Sequence, residues 1–262
     1  MMSTNPYAAP ATNVADVPEP AREGNFIATG RSRPAGNGWD WIKSARELTR
    51  PRVGLWMGIL IVFVVITAGF SAVPVIGPLA MYFIMPVMLG GIMLTCDKAF
   101  KGEDITFGDS FAGFRTHFAR LAGVGLATLL MYLIIFAAVA VIFGSGAALV
   151  LSGVSKPEAS DPAFVIGVLI AGLVVMSLSV PVYMALWFSY ALVTLNNYSV
   201  IQALKTSFSA CTKNMWAFLV YGVMMLLLAI AASIPFMLGW LILGPVLFAS
   251  LYTGYRDIYY EA

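Results

Sequence analysis

The side chains able to do chemistry in this chain are few and scattered. There is one histidine, His117, and there are two cysteines, Cys96 and Cys211. A general base needs a nucleophile within hydrogen-bond reach and a third group to orient it. His117 stands between Arg115 and Arg120 with no carboxylate or second ligand at useful spacing, so it reads as a surface histidine. Two lone cysteines make no metal site, and on the reducing side of the membrane assigned below they are not expected to form a disulfide. Asn196, Asn197 and Tyr198 form a polar run where an apolar stretch ends, and there a helix terminus and the next cap need hydrogen-bond partners. Gly54-Leu55-Trp56-Met57-Gly58 fits the GxxxG pattern that lets two helices approach closely, and Gly90-Gly91 offers the same opportunity. Both are expected to serve packing inside a bundle. No catalytic, cofactor-binding or metal-ligating residue emerges, and no cofactor is expected. The chain reads as no enzyme.

The elements that hold these residues follow from charge and hydropathy. Only 11% of the 262 residues are charged and mean hydropathy is +0.86, against roughly 25% charged in soluble domains. Four blocks, 53–96, 121–155, 162–204 and 214–255, contain no Asp, Glu, Lys or Arg. A bilayer core takes about 20 apolar residues per helix, so the blocks have room for about six spans. They are expected at about 53–72, 76–96, 121–151, 163–197, 215–233 and 239–255. The fourth is long enough to need a kink, expected at Pro181. With these spans, fourteen of the fifteen Lys and Arg residues fall on one side, and only Lys156, in the polar loop 152–162, falls on the other. Both termini are then cytoplasmic. The absence of ionisable groups within the spans argues against an ion-coupled pump. A net charge of +2 gives no basis for nucleic-acid binding.

Residues 1–36 are rich in Pro, Ala, Gly and Asn, and read as a disordered cytoplasmic tail ahead of a six-span domain, 37–262. Inside that domain a threefold pattern recurs. Asn37–Asp40, Thr106–Asp109 and Ser199–Gln202 each have capping-box spacing. Apolar stripes follow at helical spacing: Trp41, Ala45, Leu48; Phe107, Phe111, Phe114, Phe118; and Ile201, Leu204, Phe208, Cys211. The later span of each unit holds a Pro-Val pair, Pro86-Val87, Pro181-Val182 or Pro245-Val246. The predicted fold class is therefore all-α, a polytopic transmembrane bundle. It has three parallel units of cytoplasmic amphipathic helix plus hairpin, at about 37–98, 106–198 and 199–257. Trp39, Trp41, Trp216 and Tyr255 lie near predicted boundaries and read as aromatic-belt residues.

Two runs carry a resemblance. Pro181-Val182-Tyr183-Met184-Ala185-Leu186-Trp187-Phe188, followed by Ala203-Leu204-Lys205, Ser207-Phe208 and Asn214, is one; Gly38-Trp39-Asp40-Trp41-Ile42-Lys43 is the other. Over about 37–257 the chain resembles an uncharacterised family of bacterial polytopic inner-membrane proteins, a domain of unknown function. More distantly, its layout is similar to the membrane domain of glycerophosphodiester phosphodiesterases, whose catalytic residues have no counterpart here. The resemblance implies a bacterial inner-membrane location and supplies no activity. The expected role is a membrane scaffold, adaptor or accessory subunit, with membrane lipids and a membrane-protein partner or second copy as its contacts. The alternative is a channel or carrier for an uncharged or lipidic small molecule.

Overall fold

A computed structural model describes residues 24–151 and 162–261. The helices are α1 (Asn37–Thr49), α2 (Val53–Ser71), α3 (Ile76–Phe100), α4 (Ala112–Thr116), α5 (Phe118–Leu151), α6 (Pro162–Leu186), α7 (Ser189–Leu195), α8 (Val200–Lys213), α9 (Met215–Ser233) and α10 (Trp240–Tyr259). Short 3₁₀ turns cover Arg50–Arg52 and Phe107–Phe111. Among the described residues the sole extended pairing is an isolated bridge between Phe26 and Tyr260.

Segments such as α2 are rich in Val and Ile, which disfavour helices in water. In hydrocarbon every backbone N–H and C=O must be bonded within its own segment, and that makes the helix obligatory. Five segments among the described residues are long and apolar enough to cross a bilayer: Asn37–Ser71, Ile76–Phe100, Phe118–Val141, Phe164–Leu195 and Met215–Ser233. Hydroxyls at this depth are satisfied by their own helix, as where Thr67 donates to the Phe63 carbonyl and Thr128 to that of Val124, each at 2.8 Å.

The six expected spans also include α10, which is not among the five. Its second half carries Ser250, Tyr252, Thr253, Tyr255, Arg256 and Asp257, too polar for a lipid-facing helix. The physical reason is that α10 turns these residues to protein: Ser250, Tyr252, Tyr255 and Tyr259 are all buried. The long 163–197 stretch also differs from expectation. Regular helix runs through Pro181 and is interrupted at Trp187–Phe188, between α6 and α7. There the buried Phe188 N–H donates to Ser207 Oγ at 2.9 Å, and Ser207 donates to the Met184 carbonyl at 2.8 Å.

The core lies at the charged ends of the helices. Val87, Cys96, Leu121, Phe188, Leu192, Tyr252 and Tyr255 are fully buried there, whereas Val65, Ile134, Leu169, Leu226 and Phe236 leave the opposite halves apolar and exposed. Three short elements close this end. α1 packs on α9 and α10, the Phe107–Phe111 turn and α4 pack on α3, and α8 packs on α6 and α7. Capping boxes form at Thr106–Asp109 and Ser199–Gln202. The third expected box does not form, because Asn37 is already inside the helix and its amide donates to Asp257 at 2.8 Å.

One close crossing uses Gly91 and Gly113. A Cβ on Gly91 would lie 2.0 Å from the Ser110 carbonyl oxygen, and one on Gly113 would lie 2.2 Å from that of Val87. The GxxxG pair behaves otherwise. A Cβ on Gly54 would meet nothing within 4 Å, and one on Gly58 only the Phe107 ring edge at 4.0 Å, so neither glycine makes a close helix approach. The expected cytoplasmic tail falls mainly on residues 1–23, outside the described residues, as does the polar loop with Lys156. From Gly24 onward the chain lies against α10: Ile27 N–H donates to the Tyr259 carbonyl at 2.7 Å and Arg31 N–H to that of Ile258 at 2.9 Å.

Candidate functional site

Polar groups converge at two places near the charged end. At the first, the Asp257 carboxylate accepts from the Arg33 guanidinium, from Asn37 at 2.8 Å and from the Trp41 indole N–H at 2.8 Å. Burial alone would push the Asp257 carboxyl up, but these hydrogen bonds and the Arg33 charge outweigh it and hold the pKa below the ordinary value. Asn214 completes the junction. It accepts the Arg33 N–H at 2.7 Å and donates to the Arg31 carbonyl at 2.9 Å and the Ala210 carbonyl at 2.8 Å. Thus Asn214 bonds directly to the segment 31–33 and Trp41 reaches it through Asp257, one residue from each of the two runs that carry the resemblance.

At the second place, α10 presents three tyrosines to three other elements. Tyr252 donates to Asp97 of α3 at 2.8 Å, Tyr255 donates to the Asn196 side chain beyond α7, and Tyr259 donates to the Thr206 carbonyl of α8 at 3.1 Å. Lys101 holds the other Asp97 oxygen at 3.0 Å. The spacing Tyr252, Tyr255, Tyr259 puts all three on one face. That spacing was visible in the sequence, but its partners were not. Asp97, Tyr252, Tyr259 and Asp257 are the positions sequence reasoning missed.

Trp41 and Tyr255, expected at the aromatic belt, are 2% and 0% exposed and belong to this core, whereas Trp216 is 73% exposed. His117 lies at the surface with Nδ1 2.9 Å from Thr116 Oγ1 and Nε2 3.2 Å from Asn197 Oδ1. Arg120 donates to the Asn197 carbonyl at 2.9 Å. These groups border a recess of about 250 Å³. Cys96 and Cys211 are free and buried. Burial pushes the Cys211 thiol up to about 12, against a small opposing effect from Ser207, so it is no nucleophile at neutral pH. Among the described residues no three His, Cys, Asp or Glu side chains group as metal ligands do.

Another opening is apolar. A cleft of about 600 Å³ lies between Tyr183 and Met184 of α6, Trp187 just beyond it, and Met215, Trp216 and Leu219 of α9, with Cys211 of α8 also lining it. Its volume is in the range of ligand sites, roughly 300–1,000 Å³. Behind it, the ring centroid of Trp187 lies 5.5 Å from that of Phe218 and 5.6 Å from that of Tyr221. Beside it, Tyr132 of α5 lies close to Tyr183 and Ser179 of α6. Uncharged hydroxyls from two helices therefore meet next to an apolar cleft. This arrangement can hold an apolar chain with a weakly polar group.

The profile of a domain of unknown function, DUF7847, matches residues 53–254. The chain belongs to this family. A probable inner membrane protein of Burkholderia thailandensis is 26% identical over 212 residues, covering 76% of this chain and 76% of that relative. No solved structure matches. The DUF7847 match takes in α2 through most of α10, including the cleft and the Tyr252 contact, and ends before Asp257. The residues that bind Asp257 lie ahead of its start. With its apolar helices, this member of the family is an integral membrane protein. The likeness to the membrane domain of glycerophosphodiester phosphodiesterases rests on sequence layout alone.

Proposed function

We propose that the protein is a non-catalytic, six-span scaffold, adaptor or accessory subunit of the bacterial inner membrane, with both termini in the cytoplasm. The observation that carries this reading is the set of three tyrosine contacts on α10, which ties α3, the end of α7 and α8 into one hydrogen-bonded block at the charged end. Such a block suits a protein that holds other molecules in place. The count of six takes α10, 20 residues long, as a span whose polar half faces protein. The three-unit organisation is supported by Val87, Val182 and Val246, the valines of the Pro-Val pairs, all of which are buried. It is also supported by the packing of α1, α4 and α8, each on the second helix of a hairpin. The orientation rests on the fourteen-to-one distribution of Lys and Arg. The inner-membrane location follows the relative's name.

Reporter fusions active only outside the cytoplasm should be silent at either terminus and active at Lys156. Affinity purification from native membranes should return a stoichiometric membrane-protein partner. Recovery of an apolar ligand and no specific protein would sink the scaffold reading. That result would favour a second one, a carrier for an uncharged or lipidic molecule, supported by the 600 Å³ cleft and the neighbouring tyrosine hydroxyls. Mass spectrometry of retained lipids, with Trp187→Ala as the cleft variant, would then show reduced retention.

A further inference from the structure

The segment from Thr106 to Arg120 lies flat against α3 on one side, where Ser110 is buried and Gly113 touches the Val87 backbone. Its other side shows a ladder of phenylalanines. The rings of Phe107, Phe111, Phe114 and Phe118 follow one another at centroid distances of 5.7, 6.4 and 6.4 Å. Phe107, Phe114 and Phe118 are 37%, 38% and 51% exposed. An unpaired aromatic ladder of this kind facing water would be costly, at roughly 25 cal/mol per Å² of apolar surface.

Position and charge together identify what covers it. The ladder starts beside Gly58 of α2 and ends on the first residue of α5, so it runs between two lipid-facing helices at the level where they leave the membrane. Two acids of this region are already engaged, Asp109 by Lys98 and Asp104 by Arg52, and Glu103 stands at the surface near Lys98. Arg115 and Arg120 have no carboxylate partner among the described residues. The Arg115 guanidinium reaches only the Gly108 carbonyl at 3.5 Å, and Arg120 borders the 250 Å³ recess with His117. Apolar rings with adjoining cations match the two layers of an anionic leaflet, acyl chains below and phosphates above.

We propose that Thr106–Arg120 is an in-plane binding element for anionic phospholipid, with the phenylalanines seated at the acyl boundary and Arg115 and Arg120 facing the headgroup phosphate. The test uses full-length protein in nanodiscs of phosphatidylglycerol and phosphatidylcholine in equal parts. A nitroxide on Phe114→Cys should be more accessible to oxygen than to an aqueous nickel chelate. Native mass spectrometry should show preferential retention of phosphatidylglycerol, lowered by up to about fivefold in Arg115→Gln, since one surface cation contributes about 1 kcal/mol. Arg115→Gln is chosen because Arg120 also holds Asn197 and its loss could disturb folding. A label at 114 exposed to the aqueous chelate, or shielded from both quenchers by protein, overturns the proposal. So does unchanged phosphatidylglycerol retention in Arg115→Gln.

Discussion

Asp257 joins three donors, Arg33, Asn37 and Trp41, that lie more than 200 positions away in sequence. Replacing it with Asn removes the charge that Arg33 answers. Hydrogen bonds to charged groups contribute about 1.5–3 kcal/mol, so Asp257→Asn should lower stability in detergent at neutral pH by that order, read as a lower unfolding midpoint. The pH dependence has a definite sign. Because the folded Asp257 holds its proton less tightly than the ordinary value of 3.8, its contribution is complete above that value and disappears as pH falls through the lower folded value. Asp109, lowered through Lys98 and Thr106 despite its burial, behaves the same way. Midpoints measured from pH 7 down to 3 should therefore fall less steeply in Asp257→Asn than in the parent, with Asp109 supplying part of the remaining slope. Equal slopes would mean that Asp257 has the same proton affinity in both states. The sequence marked Trp41 as notable but placed it at a membrane boundary, because an aromatic beside an apolar run looks the same whether it faces headgroups or a buried carboxylate.

At the scale of helices, two contacts decide local geometry. Ser207 satisfies the buried Phe188 N–H at the break between α6 and α7, so Ser207→Ala leaves a donor unpaired at a cost of about 1–3 kcal/mol. A hydrogen-exchange measurement should show early loss of protection around Phe188, before global unfolding. Gly91 lies against the Ser110 backbone, which cannot rotate aside, so Gly91→Ala must force α3 and the 107–116 segment apart. It should be strongly destabilising, whereas Gly54→Ala, whose Cβ meets nothing, should be neutral in the same thermal assay. A small-residue pattern states that close approach is permitted, and only the partner's position decides where it is used. That is why Gly91 makes a close approach within the chain and Gly54 and Gly58 make none. Helix identity is easier to read, because long apolar segments can satisfy their backbones in lipid only as helices. The interruption at Trp187–Phe188 was not legible, since it depends on a serine in α8 rather than on Pro181.

For the molecule as a whole, the stretch 24–36 bridges the chain's beginning and end. Removing residues 1–36 eliminates the Ile27–Tyr259, Arg31–Ile258 and Arg33–Asp257 contacts, whereas removing 1–23 keeps them. The longer deletion should show the lower thermal midpoint in detergent, and equal midpoints would show that these contacts add nothing to stability. The glycine-containing, weakly apolar composition of this stretch conceals the docking, because its bonds are made by backbone groups and two arginines rather than by an apolar stripe. What the sequence by itself determined is the helical membrane class and the exclusion of charge from the apolar segments, since both follow from the cost of exposing backbone and ions to hydrocarbon. Only the tertiary structure decided that α10 turns its tyrosines inward, that the core gathers at the charged end, and that a phenylalanine ladder and an apolar cleft stay uncovered. Those outcomes depend on which faces meet across hundreds of residues, and hydropathy along a chain carries no information about its partners.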